Sequence, residues 1–190
     1  MNLVKSISHI ERLIGKLLKK ESIIMLGIAG GSGSGKTYLA RRLGYKTISI
    51  DDYYIGIDNM KDNNFDHPKA LDLKLLRKHL VMLKKSKPII KPVYSFITHK
   101  RDGYEKIGPD KIMIVEGLFA LNKMISDVFD IKIFVDSSKE RRLQRRIKRD
   151  INERGRISES IKMVFDTVAE PMYIKHVMPT KKSADLIIRN

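Results

Sequence analysis

Gly30-Gly31-Ser32-Gly33-Ser34-Gly35-Lys36-Thr37 satisfies the spacing G-x-x-x-x-G-K-[ST], and the chemistry of such a loop is the grip on a polyphosphate. Its glycines let backbone approach phosphate oxygens closely, while loop N–H groups and the N-terminus of a following helix converge on the anion. In that arrangement Lys36 reaches the β- and γ-phosphates of a nucleoside triphosphate and the Thr37 hydroxyl ligates Mg²⁺. Asp51 and Asp52 follow Thr47-Ile48-Ser49-Ile50. A carboxylate there can orient and deprotonate an attacking hydroxyl or help hold magnesium; the sequence leaves open which of the two acts, or whether both are turn aspartates. Glu116 closes Ile112-Met113-Ile114-Val115, and an acid ending a buried apolar strand needs a partner such as a metal ion, the alternative being a cap or turn glutamate. Arg141, Arg142, Arg145, Arg146, Arg149, Arg154 and Arg156 form the densest positive cluster. Guanidinium forks suit phosphate oxygens, so this segment is expected to close as a lid over a triphosphate and stabilise charge during transfer. Only some of these arginines can face inward, and Arg142 and Arg145 can easily be exterior.

Positioning such groups requires strands that end beside them. Ile23 to Ala29 is a short apolar run that leads into the glycine loop, after which Tyr38 to Leu43 reads as helix. Similar runs recur at Lys46–Ile50, Lys111–Val115, Ile131–Val135 and Leu186–Ile188. Short Ile- and Val-rich runs separated by helical segments predict an α/β fold with a mainly parallel sheet flanked by helices. In such a sheet the ligand sits outside the carboxyl ends of the strands, where the glycine loop, Asp51-Asp52, Glu116-Gly117 and Asp136-Ser137 fall. Asp72 to Lys85 predicts a helix with Leu73, Leu76, Leu80 and Leu83 on one face and Asp72 as N-cap. Lys139 to Asn152 predicts another, with Leu143, Ile147 and Ile151 four apart among basic residues.

The 190 residues suit one domain, expected over 21–190 and preceded by an amphipathic helix over 1–20 that carries Leu3, Ile7, Ile10, Ile14 and Leu17 at helical spacing. That helix is expected to pack on the domain or on another subunit rather than on a membrane, because Glu11 mixes with its lysines. The chain lacks cysteine, which excludes disulfides and thiolate metal sites and accords with a cytoplasmic setting. The formal net charge of +16 favours polyanionic partners; scattered lysines ordinarily mean a solvated surface, so nucleic acid is not the expected partner.

Beyond the glycine loop, Asp51-Asp52-Tyr53-Tyr54, Asn64-Phe65-Asp66-His67-Pro68, Pro92-Val93-Tyr94-Ser95-Phe96-Ile97-Thr98-His99, Arg149 to Arg156 and Pro179-Thr180-Lys181-Lys182 stand in an order that resembles the uridine kinase branch of the phosphoribulokinase and uridine kinase family. The likeness runs from about Ile23 to Arg189, and it implies a P-loop NTPase fold with an arginine-rich lid. It implies Asp51 as catalytic base beside Lys36. It further implies Thr37, Asp51 and Glu116 around Mg²⁺, with Arg149 and Arg154 joining the loop in binding ATP. Asp66 would hold ribose hydroxyls; Tyr54, Tyr94, Phe96 and His99 would form the nucleoside pocket, with Arg146 and Arg156 approaching substrate. The implied reaction is phosphorylation of the 5′-hydroxyl of uridine or cytidine by ATP, with subunit association of no fixed number. Three features depart from the family pattern: a short interval between Lys36 and Asp51, no glutamine in Ser158–Val168, and Ser95 between the pocket aromatics. The missing glutamine keeps open a kinase for another metabolite alcohol such as pantothenate or a sugar phosphate. A nucleotide-regulated nucleic-acid-binding module, suggested by the charge and the arginine helix, is the reading of another class.

Overall fold

The computed structural model of the chain describes residues 3–60, 64–155 and 157–190; the side chains of Leu3, Val4 and Arg154 fall outside that description. In chain order the elements are α1 (Leu3–Leu17), β1 (Ile24–Ala29), α2 (Lys36–Leu43), β2 (Lys46–Ser49), α3 (Leu73–Lys84), β3 (Ile89–Ser95), β4 (Lys100–Ile107), β5 (Ile112–Glu116), β6 (Ile131–Asp136), α4 (Lys139–Arg154), α5 (Ser158–Val164) and β7 (Leu186–Arg189). Five strands form one sheet in the order β2-β5-β1-β6-β7, and every pairing in it is parallel. All five apolar runs of the sequence are its strands.

The runs of β1, β5 and β6 are nearly continuous rather than alternating because the centre of the sheet is buried on both faces, whereas the edge strands β2 and β7 are partly exposed. Ile24, Leu26 and Ile28 of β1 point into one core with Ile10 and Ile14 of α1 and Leu39, Ala40 and Leu43 of α2. Met25 and Ala29 point into the other, with Leu73, Leu76, Leu80 and Leu83 of α3. The amphipathic pattern of the first helix thus finds its partner on the sheet. The second core extends under β3 and β4, an antiparallel pair outside the main sheet that contributes Ile89, Tyr94 and Ile107.

Two helices behave as their ends predict. Asp72 caps α3, its carboxylate accepting from the Leu75 N–H at 3.0 Å. The helix after the glycine loop is short: α2 has eight residues and stops at Gly44, whose φ is 74°. A third departs from its sequence pattern. The buried line of α4 is Arg142, Arg146 and Asp150, while Leu143 and Ile147 are half-buried and Ile151 is 43% exposed. Beyond α5 the chain continues through two π-helical turns, Phe165–Ala169 and Tyr173–Val177. Among the described residues no helix is long and apolar enough to cross a membrane.

Candidate active site

The glycine loop connects β1 to α2 and lies against α4. Gly33 adopts φ 78°, and a Cβ there would collide with the Arg142 carbonyl, so both conformation and space require glycine. Arg145 Nη1 stands 3.4 Å from the carbonyls of Gly33 and Ser34, Asn190 Nδ2 donates to the Ser34 carbonyl at 2.9 Å, and Arg149 Nη2 approaches Ser32 Oγ at 3.5 Å. Inside the loop Lys36 is 8% exposed and donates to the Gly31 carbonyl at 3.0 Å. Burial lowers its pKa; the carboxylates of Glu116 and Asp51 act in the opposite direction, while Arg149 and Arg142 add to the lowering.

The carboxyl ends of β2 and β5 bring the acids to the loop. Thr37 Oγ1 donates to Glu116 Oε1 at 3.0 Å. Gly117 allows this end of β5 to reach its place, since a Cβ there would stand 2.8 Å from Ile50 Cβ. After β2 the chain turns through a 3₁₀ segment, Ile50–Tyr53, with Ser49 Oγ accepting from the Asp51 N–H at 3.2 Å. The turn sends its two aspartates to different places. Asp51 lines the cavity beside Lys36, whereas Asp52 pairs with Lys91 of β3 at 2.7 Å. A hydroxyl and two carboxylates on one wall are hard oxygen donors of the kind Mg²⁺ takes, so these residues fit that ion.

A single cavity of about 300 Å³ gathers most of the residues expected at the site: it is lined by Ser32, Lys36, Thr37, Asp51 and Glu116 and also by Tyr54, Asp66, Tyr94, Phe96, His99, Arg146 and Arg149. Part of its lining is an aromatic cage. Tyr54 packs against Phe65 and Tyr94 with centroids 5.5 and 5.1 Å apart, Tyr94 meets Phe96 edge-on at 5.3 Å, and Phe65 lies 5.1 Å from His99. Tyr94 Oη and His99 Nδ1 are 3.4 Å apart. Ser95, which stands between the cage aromatics, accepts from the Ile97 and Thr98 N–H groups and so shapes the tip of the β3–β4 hairpin. His99 follows at φ 56°. Arg146 Nη1 is 3.9 Å from Asp66 Oδ1. Arg156 lies outside the described residues, and Arg154 ends α4 with its side chain outside the description.

Four contributors escaped the sequence reading. Nothing in the Asn64–Pro68 motif singles out Phe65, yet it contacts Tyr54, Tyr94 and His99. Val164 and Val168 form the apolar wall of the cavity. Arg142, which the sequence allows outside, is 3% exposed: both of its Nη atoms donate to Glu170 at 2.9 Å, and its guanidinium lies 4.1 Å from the Tyr173 ring centre. Its partners are 28 and 31 positions away, and local spacing holds no sign of them. Glu170→Gln would leave this guanidinium buried without its counter-charge. We expect a loss of about 3 kcal/mol, the low end for breaking a buried pair, read as a lower urea midpoint.

The family model described as phosphoribulokinase / uridine kinase matches residues 44–190. A protein named uridine kinase from Ligilactobacillus salivarius is 39% identical over 179 residues, covering 87% of this chain and 84% of that one. Another of that name, from Alkaliphilus metalliredigens, is 41% identical over 179 residues, covering 87% and 86%. The solved phosphoribulokinase from Rhodobacter spheroides superposes with a TM-score of 0.61 at 20% identity, covering 88% of this chain and 70% of that one.

Proposed function

This chain belongs to the phosphoribulokinase / uridine kinase family, and from that premise we propose that it is a uridine kinase, transferring the γ-phosphoryl group of ATP to the 5′-hydroxyl of uridine or cytidine. The observation that carries the reading is one cavity lined both by Lys36, Thr37, Asp51 and Glu116 and by an aromatic cage with Asp66. That layout suits a substrate with a flat base, a diol and a primary alcohol.

The base stacks among Tyr54, Phe65, Tyr94 and Phe96, His99 meets its polar edge, and the Asp66 carboxylate accepts from the ribose hydroxyls. Held so, the 5′-oxygen faces Asp51, which takes the proton as the oxygen attacks the γ-phosphorus in line. The loop N–H groups and Lys36 grip the departing diphosphate. Thr37, Asp51 and Glu116 would hold Mg²⁺; when bound, the ion supplies charge neutralisation on the β- and γ-phosphates. Arg146 and Arg149, with Arg154 and Arg156 farther along, act as a lid whose guanidinium groups stabilise charge on the transferring group.

The test is an acceptor panel with Mg-ATP, with ADP release measured for uridine, cytidine, pantothenate and sugar phosphates. Turnover of uridine is expected; turnover of another alcohol and of no nucleoside would reject the reading. That second outcome has one observation in its favour, since Val164 and Val168 offer no hydrogen-bonding group to the edge of a base. Phe65→Ala is expected to raise KM for uridine roughly tenfold, within the range of lost base–aromatic stacking, and to leave KM for ATP unchanged.

A further inference from the structure

We infer that Lys91 is a positioning residue for the phosphoryl acceptor, acting through Asp52; the inference rests on the uridine kinase reading above. Lys91 is on β3, away from the cavity, and only 6% exposed. A buried ammonium is costly unless paired, and this one is paired twice, with Asp52 Oδ2 at 2.7 Å and with Glu105 Oε2 on β4 at 3.1 Å.

The other oxygen of Asp52 gives the pair its reach. Asp52 Oδ1 lies 3.5 Å from the Tyr94 backbone nitrogen, and Tyr94 sits where the β3–β4 register shifts between Pro92 and Tyr94. Asp52 therefore joins two parts of the site that belong to different elements: the 3₁₀ turn that carries Asp51, and the strand that carries Tyr94. Arg101 of β4 braces the same turn, donating to the Tyr54 carbonyl at 3.0 Å and pairing with Asp72 at 3.5 Å. The ammonium holds the Asp52 carboxylate in the orientation that makes this join, and so fixes the nucleoside wall relative to the base at Asp51. Small misplacements of reacting groups are expensive: about 1 Å can cost up to a hundredfold in rate.

The test compares Lys91→Met with the double variant Lys91→Met/Asp52→Leu, which removes the buried pair as a unit and strands only the half-exposed Glu105 carboxylate. Read-outs are the urea midpoint, kcat and KM for uridine, and affinity for a non-hydrolysable ATP analogue. The single variant is expected to lose stability and about tenfold or more in kcat. The double variant should regain the urea midpoint yet keep the low kcat, with analogue affinity within about twofold of the parent. A double variant with parental kcat overturns the inference, because the pair would then serve folding alone; so does a double variant that cannot fold, or a loss that appears as weaker analogue binding. If the parent phosphorylates a different alcohol and no nucleoside, the uridine reading fails, and the same variants assayed on that alcohol still decide the role of Lys91.

Discussion

Asp51→Asn is expected to lower kcat for uridine by about a hundred- to ten-thousandfold, the usual worth of a general base, while affinity for Mg-bound ATP analogues stays close to parental. The amide keeps the shape of the side chain and its place after Ile50 in the 3₁₀ turn, whose Ser49 cap contacts the backbone rather than the carboxylate. What disappears is the ability to accept a proton, with one carboxylate charge toward Mg²⁺, for which Thr37 and Glu116 remain. Asp52→Asn provides the contrast, since Asp52 faces Lys91 and not the cavity. Equal losses from the two substitutions would remove the case for Asp51 as the base. Initial-rate kinetics with uridine, together with calorimetry of analogue binding, measure both halves of the expectation.

The second large effect concerns Lys36. Lys36→Met should reduce kcat by about a hundred- to a thousandfold, the cost of removing one preorganised donor from a developing negative charge, and should weaken binding of ATP analogues as well. Its effect on folding runs the other way. Burial depresses the pKa of Lys36 in the folded state, so the unfolded chain binds more protons in the window between that depressed value and the ordinary lysine value. Stability from this group therefore rises as pH climbs through the window, and below it the buried ammonium is a net burden on the fold. The nucleotide-free variant should accordingly denature in urea no earlier than the parent at neutral pH. A marked loss of stability would mean that the bond from Lys36 to the Gly31 carbonyl serves the fold more than the ligand.

The centre of the sheet was readable because β1 and β5 are buried on both faces, which makes each a nearly continuous apolar run. β4 was not. Its residues Lys100 to Ile107 are mostly exposed, with Ile107 the buried one, and Lys-Arg-Asp-Gly-Tyr-Glu-Lys carries no apolar alternation to announce a strand. The glycine loop between β1 and α2 and the acids at the ends of β2 and β5 followed from motif spacing and strand position. Which of Asp51 and Asp52 lines the cavity did not, because Asp52 is drawn to Lys91, which lies 39 positions away. For α4, the stripe Leu143, Ile147 and Ile151 correctly marked a helix. Its orientation escaped, because Glu170 and Tyr173, which hold Arg142, are brought there only by the turns that follow α5.

The inverted packing of α4 has an energetic corollary. Pulling α3 from the sheet would expose Leu73, Leu76, Leu80 and Leu83 to water at a cost of roughly 6–12 kcal/mol in transfer free energy. Pulling α4 away would hydrate two guanidinium groups and a carboxylate, and water solvates what it exposes. The arginine helix is thus fastened mainly by charge, and because the Arg142–Glu170 pair is buried, dissolved salt screens that fastening only weakly.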